Sequence, residues 1–434
     1  MSQKEKTLLN LITLVLWWSP LQAQEIRDTP PAIQDTIEVT QDSVSAFEGR
    51  EFNFLDPEVN RVQNSVALSD FYEKLYRLRQ KKNLRINIVQ IGDSHIQADF
   101  LSRVVRQNFQ CDFGNGGRGL IFPGRVAHTN QPSNLFSSSA FAWEVKRCVN
   151  PERPLPIGIG GITLRTTQPN ANFTIRTMNV PQLDYRFNKI TLFFQKDLTS
   201  FNIGVKDSIN QEIAFIGPYT CEPFPNTSTV LLPFLTHQVT FQMLPATTVQ
   251  TQAILFGINL ENDKPGVIYH AIGVNGAKFK HYVAARLFAD QTSALTPDLF
   301  ILSLGTNEAL DYPYSDPLFT NQLDALIQRL KARNPNALFL LTTPSDSFRK
   351  RVRRNPGVEI IRNKIIEYAD FHNLAYWDLY GAGGGKHAAD HWRVNHLMQR
   401  DGVHFTVKGY ELQGNLFYEA LMKGFDEYVQ YRHP

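Results

Sequence analysis

Serine, histidine and a carboxylate can together carry out acyl transfer. The hydroxyl attacks a carbonyl, the imidazole takes its proton, and the carboxylate orients the imidazole. Here Ser94 stands in Gly92-Asp93-Ser94-His95, while Asp401 and His404 stand in Asp401-Gly402-Val403-His404, far along the chain. A negative oxygen forming on the attacked carbonyl needs hydrogen-bond donors. The backbone N–H groups of Ser94 and Gly276 and the side-chain amide of Asn307 are the candidates, the last two within Gly273-Val274-Asn275-Gly276-Ala277 and Gly305-Thr306-Asn307-Glu308. Losing one such donor typically costs about 3–4 kcal/mol of transition-state stabilisation.

These segments can cooperate only if the fold brings their loops together. Arg85 to Ile91 reads as a buried strand that runs into Gly92, and Leu101, Val104, Val105 and Phe109 follow at helical spacing. A strand, a tight polar turn and a helix are the opening unit of an α/β sheet. After Gly266 the same rhythm returns, with strands at 267–272, 298–304, 337–342 and 374–379. Helices are expected at 277–289, 318–332, 358–368 and 405–429. Open parallel sheets bind ligands at the carboxyl ends of their strands, and Ser94, Gly276 and Asn307 all fall at such ends. The expected class is therefore α/β, a mostly parallel sheet with helices on both faces.

The stretch 141–262 has a different period. Phe201, Ile203 and Val205, then Val239, Phe241 and Met243, then Ile254, Phe256, Ile258 and Leu260 recur at every second residue, with Pro, Asn and Gly between the runs. That pattern predicts an antiparallel β-sandwich inserted into the α/β domain, dividing it into 66–140 and 263–434.

At the N-terminus, Lys4 and Lys6 precede an apolar stretch from Leu8 to Trp18 and a small-residue exit at Ala23. This reads as a secretory signal over 1–23, followed by a polar linker over 24–65. No cysteine follows the apolar stretch, so a lipid anchor is not expected. The mature chain is expected to be exported, without membrane insertion once the signal is removed. The full 434 residues carry 44 Lys+Arg against 41 Asp+Glu, a formal charge of +3, which argues against a nucleic-acid partner.

The four segments, in this order and each at a strand end or closing loop, resemble the blocks of the SGNH (GDSL-type) hydrolases. The matching residues are Gly92-Asp93-Ser94, Gly276, Gly305-Thr306-Asn307, and Asp401 with His404. That resemblance implies a three-layer α/β fold and acetyl-ester chemistry, with Ser94, Asp401 and His404 catalytic and Ser94, Gly276 and Asn307 forming the oxyanion hole. A narrower likeness rests on His95 where the broad family has Leu, on Gly305 to Ala309, on Asn275-Gly276-Ala277 and on the glycine-rich run from Phe113 to Pro123. In these the chain is similar to periplasmic peptidoglycan O-acetylesterases, which deacetylate muramic acid and carry a carbohydrate-binding-module-like sandwich between the first and second blocks. The implied partner is O-acetylated peptidoglycan or another acetylated polysaccharide. No cofactor and no metal is implied. Transfer to another sugar instead of water, and glycan binding by the insert on an inactive scaffold, stay open as alternatives.

Other residues admit two readings each. His387 and His391 are spaced for one helix face, but no third metal ligand accompanies them. Trp392 could stack on a sugar ring or pack internally. Arg349 to Arg354 is a basic run, either a solvated loop or an attractor for anionic polymer. Cys111, Cys148 and Cys221 cannot all pair within one chain; Cys148 with Cys221, or buried thiols, are both open.

Overall fold

A run rich in β-branched, aliphatic and aromatic residues favours a strand buried on both faces, and five largely apolar strands form the centre of the molecule. The computed structural model describes residues 52–150, 155–220, 222–313 and 316–432. Its main sheet has six strands, in the order Val62–Gln63, Ala375–Trp377, Leu338–Thr342, Leu299–Ser303, Arg85–Gly92, Gly266–Gly273. All neighbours are parallel except the edge strand Val62–Gln63, which is antiparallel to Ala375–Trp377. The first parallel strand, Arg85–Gly92, lies between the second and third. The chain therefore reverses its direction of travel beside Arg85–Gly92, and a crevice opens at that switch point.

Helices cover both faces. Ser69–Arg79, Phe100–Phe113 and Val407–Arg432 pack together on one side, and Phe279–Ala284, Asp316–Arg333 and Pro356–Phe371 on the other. Leu68, Phe71, Leu75 and Leu78 are buried, as their spacing predicts. The helix expected over 277–289 is broken into Phe279–Ala284 and Phe288–Thr292. Among the described residues no helix is long and apolar enough to cross a membrane.

The insert is a two-sheet antiparallel structure. One sheet orders Glu212–Ile216, Asn202–Lys206, Gln238–Leu244, Asn172–Thr177 and Leu135–Ser138. The other orders Thr227–Thr236, Phe187–Phe194, Ala253–Glu261, Ile162–Thr166 and Glu144–Arg147. Val239, Phe241 and Met243 are fully buried while Gln238, Thr240 and Gln242 are half-buried, so alternation sets the inner face. Phe241 stacks on Phe173 with ring centroids 5.0 Å apart. Burying each such side chain stabilises the fold by roughly 1.5–3 kcal/mol.

Two boundaries differ from expectation. The sandwich begins before 141: Leu135–Ser138 belongs to one sheet, and Gly117–Ile121 pairs with Ala253–Glu261 of the other. Gly117–Ile121 has no alternation to reveal it, because it is buried on both sides, between Ala253–Glu261 and the sheet edge Gly266–Gly273. Its Leu120 N–H donates to His270 Nδ1 at 3.0 Å. Gly119, at φ 81°, lies where a Cβ would come within 2.8 Å of the Tyr269 carbonyl oxygen, so this seam requires glycine. Order also begins before 66. Phe54 lies edge-on to Trp392, and Asn60 accepts from Trp377 Nε1 at 3.0 Å. The expected signal over 1–23 lies outside the described residues, as does Cys221 and with it the Cys148–Cys221 pairing.

Candidate active site

Gly92 ends the first parallel strand because a Cβ there would come within 2.3 Å of Ile96 Cγ1. Asp93 then caps the next turn, its Oδ1 accepting from His95 N–H at 3.0 Å, so Ser94 opens the short helix Ser94–Gln97. Gly273 ends the neighbouring strand for a similar reason: a Cβ would sit 2.3 Å from Gln97 N. Two glycines thus let this turn descend between the strand ends.

The closing loop arrives from the other side. Asp401 Oδ1 accepts the N–H groups of Val403 and His404, both at 2.9 Å, and Oδ2 lies 2.7 Å from His404 Nδ1. A carboxylate can only accept, so Nδ1 carries the proton and Nε2 is left to accept from the Ser94 hydroxyl, 2.8 Å away. Partial burial pushes the Asp401 carboxyl up, but the His404 hydrogen bond and the two backbone N–H groups outweigh it and hold it at about 2. Burial disfavours the His404 imidazolium, yet the bond to Asp401 and the charges of Asp401 and Asp93 raise it above the ordinary histidine range. Gly402 holds the loop's shape: its φ is 74°, and a Cβ would meet Phe348 at 2.9 Å.

The other expected residues converge on the same crevice. Gly276 is at φ 75° with open space where a side chain would project. Neither its N–H nor that of Ser94 has an acceptor among the described residues. Asn307 is held otherwise than expected: its amide donates to Asp93 Oδ2 and to the Ala277 carbonyl, both at 3.0 Å. Both amide hydrogens therefore have acceptors already.

The parts played by Asp93, His95, Gln97 and Glu308 emerge only from the fold. Asp93 is buried, which pushes its carboxyl to about 6. It joins the Ser94 turn to Asn307. Glu308 Oε1 accepts from Phe279 N–H at 2.8 Å, and Gln97 Oε1 accepts from Asn275 N–H at 2.6 Å, so both sides of the Gly276 loop are fastened. Burial and the adjacent His404 lower His95 to about 3, so it is neutral. Its ring stacks on His404 at 5.3 Å, with the Tyr410 hydroxyl 3.0 Å from its Nδ1. The only sequence signals were the cap position of Asp93 and the unusual His after Ser94.

The remaining candidates separate. Trp392 is fully buried, edge-on to Phe54 and Phe405, and donates to the Gly383 carbonyl at 2.8 Å, so it packs rather than facing a sugar. His391 stacks on Phe54, and His387 precedes the helix Ala388–Val394 in a left-handed conformation. Among the described residues no three potential ligands cluster for a metal ion.

Residues 250–412 match the model of the GDSL-like lipase/acylhydrolase family. The match takes in Gly276, Asn307, Asp401 and His404 and stops short of Ser94, which the insert separates from them. A solved peptidoglycan O-acetylesterase superposes with a TM-score of 0.69 at 20% identity, over 84% of this chain and 99% of that one. Such identity shows a shared fold. Two partial likenesses, each with a TM-score of 0.29, are too distant to bear on it. They are a lipase/acylhydrolase from Enterococcus faecalis (23% identity, 36% of this chain, 75% of that one) and a family two carbohydrate esterase from Cellvibrio japonicus (12%, 67% and 99%). No curated protein sequence matches the chain. Residues 250–412 are thus similar to the GDSL-like lipase/acylhydrolase family, and the chain shares the fold of the O-acetylesterase it superposes on.

Proposed function

We propose that this protein is an exported serine esterase that removes O-acetyl groups from peptidoglycan through an acetyl-enzyme. The observation that carries the reading is the unbroken hydrogen-bonded chain from Ser94 Oγ through His404 to Asp401. Ser94 Oγ bonds to the acetyl carbon as its proton passes to His404 Nε2. The sugar oxygen then leaves and takes that proton. Water attacks the acetyl-serine, again giving a proton to His404, and acetate departs as Ser94 recovers its hydrogen. Asp401 steadies the imidazolium at each stage.

The N–H groups of Ser94 and Gly276 receive the oxyanion. Asn307 joins them by releasing one of its two present acceptors, an exchange favoured once the substrate oxygen carries full charge. No cofactor takes part. The substrate assignment is supported by the fold shared with a peptidoglycan O-acetylesterase, export by the 1–23 pattern, and a glycan-binding role for the insert by its position and sandwich form.

The test is acetate release from O-acetylated peptidoglycan beside acetylated xylan and a small aryl acetate. Faster release from peptidoglycan supports the reading. Preference for xylan moves the substrate to another polysaccharide, and acetylated acceptor in place of free acetate makes the enzyme a transferase.

A further inference from the structure

The basic run is not a loose loop. Phe348–Arg349 and Arg353–Arg354 pair antiparallel, Phe348 opposite Arg354 and Arg349 opposite Arg353, forming a hairpin with its turn at 350–352. Its root is bound to the loop that bears Asp401 and His404, since Phe348 N–H donates to the Gly402 carbonyl at 2.7 Å. The Arg393 guanidinium lies 3.9 Å from the Phe348 ring centre and donates to the Arg351 carbonyl at 2.8 Å. Arg354 is tethered by Asp390, and by Asp346 at 3.7 Å. The hairpin therefore holds a fixed position beside the catalytic histidine.

Five of the six residues from Arg349 to Arg354 are cationic and none is acidic. The rest of the chain has 39 basic against 41 acidic residues, so this hairpin accounts for the positive surplus. Arg354 alone of the five has carboxylate partners. Arg349, Lys350, Arg351 and Arg353 make no ion pair with a described residue. Lys350 and Arg351 form the turn at φ 48° and 71°, a conformation that Asn-Gly adopts with less strain. Val352, the apolar residue of the turn, is 74% exposed, so no core packing explains the arrangement. Crowded like charges in a strained turn destabilise a fold, and among the described residues no carboxylate pairs with Arg349, Lys350, Arg351 or Arg353 to offset that cost.

We propose that the hairpin Phe348–Arg354 is a docking surface for an anionic polysaccharide substrate, selecting acidic acetylated polymers over neutral ones. This deepens the esterase reading and rests on it. Peptidoglycan strands carry stem-peptide carboxylates at intervals, so a strand gripped there lays its acetyl esters across the adjacent site. Exposed charges act over about 8 Å at physiological ionic strength, which confines the effect to substrate already at the crevice mouth.

The test compares the intact chain with a variant carrying Arg349→Gln, Lys350→Asn, Arg351→Gly and Arg353→Gln, whose Asn-Gly turn preserves the hairpin. Four substrates are used: O-acetylated peptidoglycan, O-acetylated polygalacturonate, uncharged acetylated glucomannan, and an aryl acetate as reference. At low salt, kcat/KM for each acidic polymer relative to the aryl acetate should fall about tenfold in the variant, while the glucomannan ratio holds. Independently of any variant, rising salt should depress the intact chain's acidic-polymer ratios and leave the neutral ones flat. Unchanged ratios with flat salt profiles, or no activity on either acidic polymer, overturn the proposal. If peptidoglycan alone is refused while polygalacturonate behaves as described, the substrate named under the esterase reading fails and the docking surface stands.

Discussion

The sandwich and the carboxyl ends of the parallel strands are built on opposite terms. In the sandwich, Val239, Phe241 and Met243 are buried by a period of two, and each needs only apolar neighbours of suitable volume. At the strand ends, Asp93 and Glu308 are as deeply buried, but their carboxylates accept from particular donors, Asn307 and the Phe279 N–H among them, because an unpaired buried polar group costs about 1–3 kcal/mol. Some of these partners are far away in sequence: Ser94 and His404 are 310 positions apart, His95 and Tyr410 315. On the esterase reading, change in the sandwich should cost stability and change at the site should cost rate. Stability and rate should therefore respond to different residues.

The sharpest way to break that separation is Ser94→Ala. Acetate release should fall by about 10⁴-fold or more with the thermal midpoint unmoved, and full retained turnover would end the serine mechanism. Asp401→Asn should cost about 10⁴-fold in kcat, because the wrong histidine tautomer then faces Ser94. Phe241→Ala reverses the pattern: denaturant titration should show a loss of about 3–5 kcal/mol, with kcat on an aryl acetate unchanged for the folded protein. If kcat fell in step, the sandwich would be part of the catalytic apparatus.

Asn307→Ala blurs the line instructively. It should lower kcat by about 10²–10³-fold with little change in KM, and also cost some stability, since Asp93 Oδ2 loses its donor. The smallest effect is electrostatic. His404 must be neutral to accept a proton, and its pKa is raised, so the acid limb of kcat/KM should lie above the ordinary histidine value of 6.5. Asp93→Asn removes one of the negative charges that raise it, so that limb should move to lower pH; an unmoved limb would remove Asp93 from the electrostatic account.

What could be read in the chain was whatever is local. Gly-Asp-Ser at a strand end marks a tight turn opening a helix because its capping chemistry lies within three residues, and alternation marks an inner face for the same reason. Gly117–Ile121 was invisible, since its Gly-Arg-Gly start offers neither an alternation nor the apolar run that marks Arg85 to Ile91. Trp392 was ambiguous because a tryptophan's sequence context does not say which surface covers it.

The amino-acid sequence by itself determined the strand-end segments, their order, the α/β class and the inserted sandwich. Turn preference and hydrophobic period are properties of adjacent residues. Only the tertiary structure decided that Asp93 holds Asn307, that His95 stacks on His404, that Trp392 is buried, and that the basic run is a hairpin fastened beside Gly402. Dehydrated polar atoms and rings pair with whatever the closed sheet brings within reach, and that is set by strand order and register across hundreds of residues.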